Sequence, residues 1–357
     1  MTFQEKILSK SNSYSHYKQE SERLSDENER LKEENESLKR QIYELKNAKK
    51  SSLKEDYYDA YGPAGNFCDW PYIEQFLDEN FENKLKEVTK HLDYQNKRDF
   101  KLYYLRAMAS TIICWDTLFF EKEENDQKMF TDFKINNSGP GEIAGFKFEG
   151  EYNLHPFIDL NLTDDDREFL KNKDIIDAGA FTGDTSLPLS KITNGNVHAF
   201  EPFRDSFELL KRNIENNNIE NIVAVNKSLG NINGERTLFL SGVNVQGITS
   251  DSSIRKYDAE IKVEETTIDR YVEENNLDVG LITVDVEGAE MDLLEGAVNT
   301  IKNQRPILEI SIYHKISHYF DIIPWIADLG LDYEFRIVKE QPWSFIVDTM
   351  VQCRPKK

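Results

Sequence analysis

Residues Asp174–Ser186 read DIIDAGAFTGDTS, which is a short apolar run, an acidic residue, two glycines four positions apart and a polar start to a predicted helix. This is the order of a strand, a tight loop and a helix N-terminus. Gly179 and Gly183 can adopt positive φ angles and let a ligand approach the backbone. The first such loop of an open α/β sheet normally holds a cofactor. The stretch therefore predicts either a cofactor loop or an ordinary turn between a strand and a helix.

Predicted strands and helices alternate after this stretch. The strands are predicted at 174–178, 196–200, 222–226, 261–265, 280–285 and 306–313, and the helices at 184–192, 204–217, 267–275 and 289–302. Two final strands, near 332–339 and 344–353, are predicted to form an antiparallel hairpin around Trp343. The alternation predicts an α/β fold with a doubly wound, Rossmann-like, mostly parallel sheet that has an antiparallel edge.

The charge of the glycine loop narrows the choice of cofactor. Glu201 ends the second predicted strand, about 20 residues after Gly179, where a carboxylate can accept hydrogen bonds from both hydroxyls of a ribose. The predicted helix begins at Asp184, and a carboxylate at this position would repel a pyrophosphate. A cationic sulfonium fits there, so the charge favours S-adenosylmethionine over NAD. Asp177 and Asp184 are expected to meet the methionine end, directly or through water.

Five stretches carry a family resemblance: 176–185 (IDAGAFTGDT), 199–202 (AFEP), 284–290 (VDVEGAE), 305–310 (RPILEI) and 313–315 (YHK). With them the chain resembles the FkbM family of S-adenosylmethionine-dependent methyltransferases, from about residue 150 onward. Members generally methylate oxygens of sugars and natural products, so the resemblance implies such an acceptor. The predicted cofactor-binding residues are Asp177, Gly179, Ala180, Phe181, Gly183, Asp184, Thr185, Glu201, Pro202, Phe203, Ser228 and Asp285.

Three polar residues are the candidates for the chemistry. Asp285 and Glu287 end the predicted strand 280–285, and His314 follows the end of the next one. In one interpretation His314 or Asp285 is the general base. In the other, all three bind a divalent cation that clamps a vicinal diol and lowers its pKa. The alternatives are that the carboxylates cap the helix predicted over 289–302 and that His314 opens a solvated strand exit.

The N-terminal region carries a leucine-zipper register, with leucines at Leu24, Leu31, Leu38 and Leu45. With leucine at position d, Asn28 and Asn35 fall at position a, where asparagine costs stability but favours two parallel strands. The pattern predicts a parallel homodimeric coiled coil over about 17–50. The alternative is a single solvated helix held by pairs of glutamate and lysine four residues apart.

Three regions are predicted from these patterns: a coiled coil at 1–56, a helical linker or cap at 57–150 and a methyltransferase domain at 151–357. Within the second region we predict helices over about 70–91 and 95–120 and a loop over 135–150. Residues 152–158 are predicted to lie against the cofactor domain as a lid.

Composition excludes several classes of partner. The formal net charge of −21 argues against binding to nucleic-acid phosphates. The three cysteines are far apart, which supports neither a disulfide framework nor a cysteine-based zinc site. We find neither a transmembrane run nor a signal-peptide core in the sequence. A cytoplasmic location is therefore expected.

These observations predict a cytoplasmic O-methyltransferase that acts on a sugar hydroxyl of a surface glycan or of its precursor and dimerises through its zipper. One alternative is the methylation of a small natural product. Another is that the coiled coil docks glycan-assembly proteins while the methyltransferase fold is a silent platform.

Overall fold

The computed structural model describes residues 78–113, 138–139, 142–143, 145–150, 162–240, 248–249, 257, 259–339 and 349–356. The predicted coiled coil over 17–50, the predicted lid over 152–158 and the turn at Trp343 lie outside these residues. The chain divides into two units, Met1–Gly65 and Asn66–Lys357. All described residues belong to the second unit.

The described residues form the following helices and strands. The helices are α1 (Phe81–Thr89), α2 (Tyr94–Ile113), α3 (Asp164–Leu170), α4 (Ser186–Leu189), α5 (Arg204–Asn216), α6 (Ile268–Asn275), α7 (Glu290–Glu295), α8 (Val298–Gln304) and α9 (Ile316–Asp328). The strands are β1 (Ser138–Gly139), β2 (Glu142–Ile143), β3 (Phe146–Lys147), β4 (Asp174–Ala178), β5 (Val197–Phe200), β6 (Ile222–Val225), β7 (Ser228–Leu229), β8 (Gly234–Leu240), β9 (Ile248–Thr249), β10 (Ala259–Thr266), β11 (Val279–Val284), β12 (Ile307–Ser311), β13 (Tyr333–Lys339) and β14 (Thr349–Pro355).

A seven-stranded sheet is the centre of the fold, with the order β13-β14-β12-β11-β4-β5-β6. The strands from β12 to β6 pair in parallel, and β14 runs antiparallel to both of its neighbours. The predicted α/β fold with an antiparallel edge is therefore confirmed. The chain runs outward from β4 to β6 and then returns to the other side of β4, so the topological switch point lies between β4 and β11.

The central strands are buried, which is why they read as continuous apolar runs. Every residue of β11 and β12 is buried. Helices cover the sheet, and their apolar residues join those of the strands in one core cluster made up of Leu162, Leu170, Ile175, Leu189, Val197, Leu281 and Ile307. Burial of these side chains supplies the main driving force that holds the strand ends in register.

The strand predicted near 261–265 belongs to a separate sheet. It corresponds to β10, which pairs with β7 and β8 in the four-stranded order β7-β10-β8-β9. The carboxylate of Glu265 is buried there and forms hydrogen bonds of 2.7 Å with Nε and Nη2 of Arg236.

Four other predictions need correction. The helix predicted over 289–302 is two helices, α7 and α8, and the helix predicted over 184–192 is only the short α4. The loop predicted over 135–150 contains β1, β2 and β3, which form a three-stranded antiparallel sheet. Helix α9 follows His314 directly, so this strand exit is not solvated.

Close backbone packing explains the break between α7 and α8. A Cβ on Gly296 would lie 2.0 Å from the carbonyl oxygen of Gly230, so only glycine fits this approach. The carbonyl of Gly296 also accepts a hydrogen bond of 2.9 Å from the amide of Asp269 at the start of α6. A continuous helix could not offer that carbonyl to α6, since its own amides would take it.

The first two helices pack against α9 and the edge strand β13. An aromatic cluster of Phe81, Phe100, Tyr104, Tyr319 and Phe320 joins α1 and α2 to α9. The amide of Ile337 in the edge strand β13 donates to the side chain of Asn96 at 2.9 Å. Helix α2 therefore covers part of an edge that would otherwise be open to pairing with other chains. None of the helices in the described ranges has the length and apolar character needed to cross a bilayer.

The Gly296 contact leads to a stability prediction. Gly296→Ala should destabilise the protein by about 1–3 kcal/mol, because the new methyl group forces apart two backbones that have no room to move. Gly234→Ala is the matched control, because a Cβ there meets no atom within 4 Å. Urea unfolding followed by circular dichroism measures both variants. Equal midpoints for the two would contradict the packing argument.

Candidate active site

The loop after β4 touches the end of β11 at the switch point. Gly179 has a φ of +88°, and a Cβ there would lie 1.9 Å from the carbonyl oxygen of Asp285. The amide of Asp285 in turn donates to the carbonyl of Ala178 at 3.0 Å. Gly179 is therefore required for this contact. The contact brings a predicted cofactor loop against a predicted catalytic residue.

Asp177 orders this loop from inside the fold. Its side chain is buried, and its carboxylate accepts hydrogen bonds from the hydroxyls of Thr283 in β11, at 2.8 Å, and of Ser186 in α4. The carboxylate thus ties β4 to the neighbouring strand and to the following helix. We predicted that it meets the methionine end of the cofactor, but in this structure the visible role of Asp177 is to position the loop.

Glu201 lies beside the loop at the end of β5 and is almost fully buried. Its two carboxylate oxygens accept hydrogen bonds from the backbone amides of Phe181 at 2.9 Å and Phe203 at 2.7 Å. Phe181 has a positive φ of 45°, which is uncommon for a residue with a side chain. Each carboxylate oxygen has a second lone pair, so Glu201 can still accept hydrogen bonds from two ribose hydroxyls.

Burial raises the pKa of Glu201 to about 8, and the nearby charges of Asp184 and Asp177 add to this effect, although the two backbone hydrogen bonds oppose it. The loop therefore resists additional negative charge. Asp184 is also buried. Such a site suits a cation and repels a pyrophosphate.

The other predicted cofactor residues have varied surroundings. Ala180 is buried, and its amide donates to the carbonyl of Phe200 at 2.9 Å. Thr185 precedes α4 without capping it through its side chain. The carbonyl of Pro202 accepts a hydrogen bond from the side chain of Asn226 at 3.0 Å.

Ser228 lies in β7, where its hydroxyl is 3.2 Å from the carboxylate of Glu265, so it has a partner within the fold. Gly183 has a φ of +99° and packs under Leu187 and Leu210.

The structure brings the three candidate catalytic residues together on the other side of the contact. His314 Nε2 lies 3.4 Å from Asp285 Oδ1 and 3.7 Å from Glu287 Oε2. The side chain of His314 is 5% exposed, whereas those of Asp285 and Glu287 are 34% and 30% exposed. We call the space at the carboxyl ends of β4 and β11 the crevice. The two carboxylates are partly exposed at this crevice, and the imidazole is buried behind them.

Two further residues complete this cluster and were not among our predicted site residues. Glu290 is fully buried, and its Oε1 lies 2.7 Å from His314 Nδ1 and accepts the amide of Gly288 at 3.1 Å. His318 Nδ1 lies 2.8 Å from Glu290 Oε2. Glu290 lies in the stretch 284–290 that carries the family resemblance. This position was the sequence feature from which its role in the site could have been predicted. His318 could not be placed because helix α9 was not predicted.

The proton of this cluster resides on the imidazole. Burial by itself would lower the pKa of His314, but the charges of Glu290, Glu287 and Asp285 outweigh it and raise the pKa to about 10. Burial would likewise raise the pKa of Glu290, but the two histidines hold it well below its usual range. The buried pair is therefore ionised at neutral pH. A protonated His314 cannot accept a proton from a substrate.

A known protein family matches the part of the chain that contains this site. Residues 177–336 match the family described as the methyltransferase FkbM domain, a range that begins at Asp177 and includes every candidate catalytic residue. The chain contains an FkbM methyltransferase domain. Among curated proteins no significant match to this sequence is found.

The fold of this chain is similar to that of a solved methyltransferase structure. The methyltransferase FkbM of Methylobacillus flagellatus KT is 17% identical with a TM-score of 0.50, and the match covers 80% of this chain and 60% of that one. The chain thus spans about three fifths of the length of that relative. A methyltransferase candidate from Streptococcus mutans in complex with SAH is 13% identical with a TM-score of 0.34, over 58% of this chain and 100% of that one.

The raised pKa of Glu201 predicts how stability depends on pH. In the unfolded chain the group titrates near 4.5 and in the folded chain near 8. The folded state holds the proton more tightly, so this contribution to stability is present below about pH 4.5 and is lost as the pH rises toward about 8. Glu201→Gln cannot titrate. In thermal unfolding from about pH 5 to about pH 8, wild type should lose stability relative to this variant. A constant difference between the two would contradict the assigned burial.

Proposed function

We propose that this chain is an S-adenosylmethionine-dependent O-methyltransferase whose acceptor is a sugar hydroxyl of a surface glycan or of its precursor. The observation that carries the proposal is the buried carboxylate of Glu201, held by the amides of Phe181 and Phe203 beside an acidic glycine loop. The residues present fit the cofactor, because free lone pairs meet the ribose hydroxyls and the negative loop meets the sulfonium.

The cofactor would lie across the switch point, with its ribose at Glu201 and its methionine end near the loop after β4. Bound S-adenosylmethionine supplies a methyl group on a positively charged sulfur. The chain's own task is to align an acceptor oxygen with that methyl group and to keep water out, and such alignment can supply several kcal/mol of the barrier.

Asp285 is the residue best placed to receive the proton of the acceptor. Its backbone contacts Gly179 in the cofactor loop, and its side chain is 34% exposed at the crevice. Its Oδ1 is buried and faces His314, which leaves Oδ2 as the oxygen that can face an acceptor. As the C–O bond forms and the C–S bond breaks, the hydroxyl proton passes to this carboxylate and then to solvent.

The acceptor class rests on charge and on the family. An uncharged sugar hydroxyl suits an acidic crevice on a chain with a net charge of −21, which would repel a nucleic acid. The FkbM domain supports oxygen as the methylated atom, because the resemblance implies sugars and natural products. A small natural product with a free hydroxyl is the competing acceptor.

Cofactor binding is tested by calorimetric titration of the full chain with S-adenosylmethionine. Wild type should bind, and Glu201→Gln should weaken binding about 10–100-fold, the usual cost of losing hydrogen bonds to a charged group. Glu220→Gln is the matched control, because Glu220 is an exposed glutamate outside the crevice. Absence of binding to wild type at millimolar ligand would overturn the proposal.

We also propose that the chain is a cytoplasmic homodimer joined by the zipper at about 17–50. Deletion of residues 1–50 should convert dimers to monomers in light scattering while methyl transfer to a glycan precursor persists. If activity is lost together with dimerisation, the coiled coil does more than hold two copies together. If neither form methylates any glycan or natural-product acceptor, the silent-platform alternative gains support.

A further inference from the structure

We propose that Asp285, Glu287 and His314 form a site for a divalent cation of the Mn²⁺ class, which chelates two neighbouring hydroxyls of the acceptor. This inference rests on the proposed function and narrows its substrate class to vicinal diols. The ion would lie on the acceptor side of the crevice, where Asp285 connects it to the cofactor loop.

The ligand atoms have the spacing of a coordination shell. His314 Nε2 is 3.4 Å from Asp285 Oδ1 and 3.7 Å from Glu287 Oε2. Two ligands at right angles around an ion with bonds of about 2.1–2.4 Å are about 3.0–3.4 Å apart, and wider angles increase that separation. Both carboxylates therefore lie within reach of an ion bound at His314 Nε2.

The two innermost ligand atoms lack hydrogen-bond partners. His314 Nε2 and Asp285 Oδ1 are both buried and make no hydrogen bond. The side chain of His314 is only 5% exposed, so solvent does not readily reach its ring. A buried polar atom without a partner costs free energy unless something in the site satisfies it. These two atoms face each other at 3.4 Å, and a cation bound between them would displace the proton of the imidazolium to solvent and satisfy both.

Glu290 acts as the outer carboxylate of the site. A histidine that binds a metal through one ring nitrogen almost always donates its other N–H to a carboxylate or carbonyl. His314 Nδ1 lies 2.7 Å from Glu290 Oε1, which leaves Nε2 directed toward Asp285 and Glu287. Ligand atoms of Asp285, Glu290 and His314 also lie within 4.8 Å of one another. Glu290 is already committed to the amides of Gly288 and Val286, so we assign Glu287 as the third ligand.

The ligand set points to the type of ion and to its open face. Two carboxylates and one imidazole favour a hard first-row divalent ion such as Mn²⁺ over ions that prefer thiolates. Protein groups approach from the buried side, and the partly exposed carboxylates border the crevice. The open positions can therefore take two oxygens of a diol. Coordination lowers the pKa of a bound hydroxyl, so its proton leaves more readily to Asp285 or to water as the C–O bond forms.

The test is a titration of the chelator-treated, metal-free full chain with Mn²⁺ alone, followed by calorimetry and by the relaxation rate of water protons. Wild type should bind one Mn²⁺ ion. Asp285→Asn and His314→Gln should each weaken binding at least tenfold, and Glu290→Gln about 10–100-fold, as is usual for an outer-shell partner. Asp332→Asn is the matched control, because Asp332 is exposed, has a φ of +51°, which asparagine tolerates, and precedes β13.

Circular dichroism of each variant separates loss of the site from loss of the fold. Glu287→Gln changes a proposed ligand at a partly exposed position, where the substitution should leave the fold intact. Equal Mn²⁺ affinity in wild type and Asp285→Asn, or no binding to wild type at millimolar Mn²⁺, would overturn the inference and leave His314 as a salt-bridged imidazolium. S-adenosylmethionine titrated without metal reports on the proposed function separately. Cofactor binding without Mn²⁺ binding rejects only the metal site, and Mn²⁺ binding without cofactor binding rejects only the methyltransferase proposal.

Discussion

The close approach of two backbones at Gly179 and Asp285 is the constraint on which the site depends. It exists because β4 and β11 are parallel neighbours whose carboxyl ends meet at one edge of the sheet. Asp177 reinforces the approach by accepting hydrogen bonds from hydroxyls on both sides. One side of the contact carries the glycine loop and Glu201, and the other carries the cluster around His314. A residue larger than glycine at position 179 would push the loop away from the backbone of Asp285.

Buried carboxylates shape both halves of the crevice, and the fold stabilises them in different ways. Glu201 has only backbone amides as partners, and its pKa rises because burial outweighs those hydrogen bonds. Glu290 has two histidines near its carboxylate, and their charges outweigh a similar burial. Each oxygen of Glu201 has a single amide partner, so it has a lone pair left for a hydroxyl donor. Glu290 is committed to orienting an imidazole, which is the arrangement expected of a supporting group.

Helix α9 links the site to the N-terminal helices through adjacent residues. His318 lies against Glu290, while the hydroxyl of the next residue, Tyr319, donates to the carbonyl of Phe100 in α2 at 2.8 Å. Successive residues of a helix point in different directions, so one turn of α9 contacts both the cluster around His314 and the aromatic cluster. Helix α9 therefore joins the two clusters.

The sequence by itself determined the alternation of strands and helices, the glycine loop after β4 and the acidic residue that follows β5. These features depend on local apolar periodicity and on glycine, which act within a few residues. Only the tertiary structure decided that Gly296 divides a predicted helix, that β10 leaves the central sheet, and that Glu290 and His318 stand behind His314. Each of these depends on atoms far apart in the chain, such as the carbonyl of Gly230 below Gly296. The local sequence pattern does not show which distant backbone or charged group will lie next to a residue, because the packing of the whole core sets those distances.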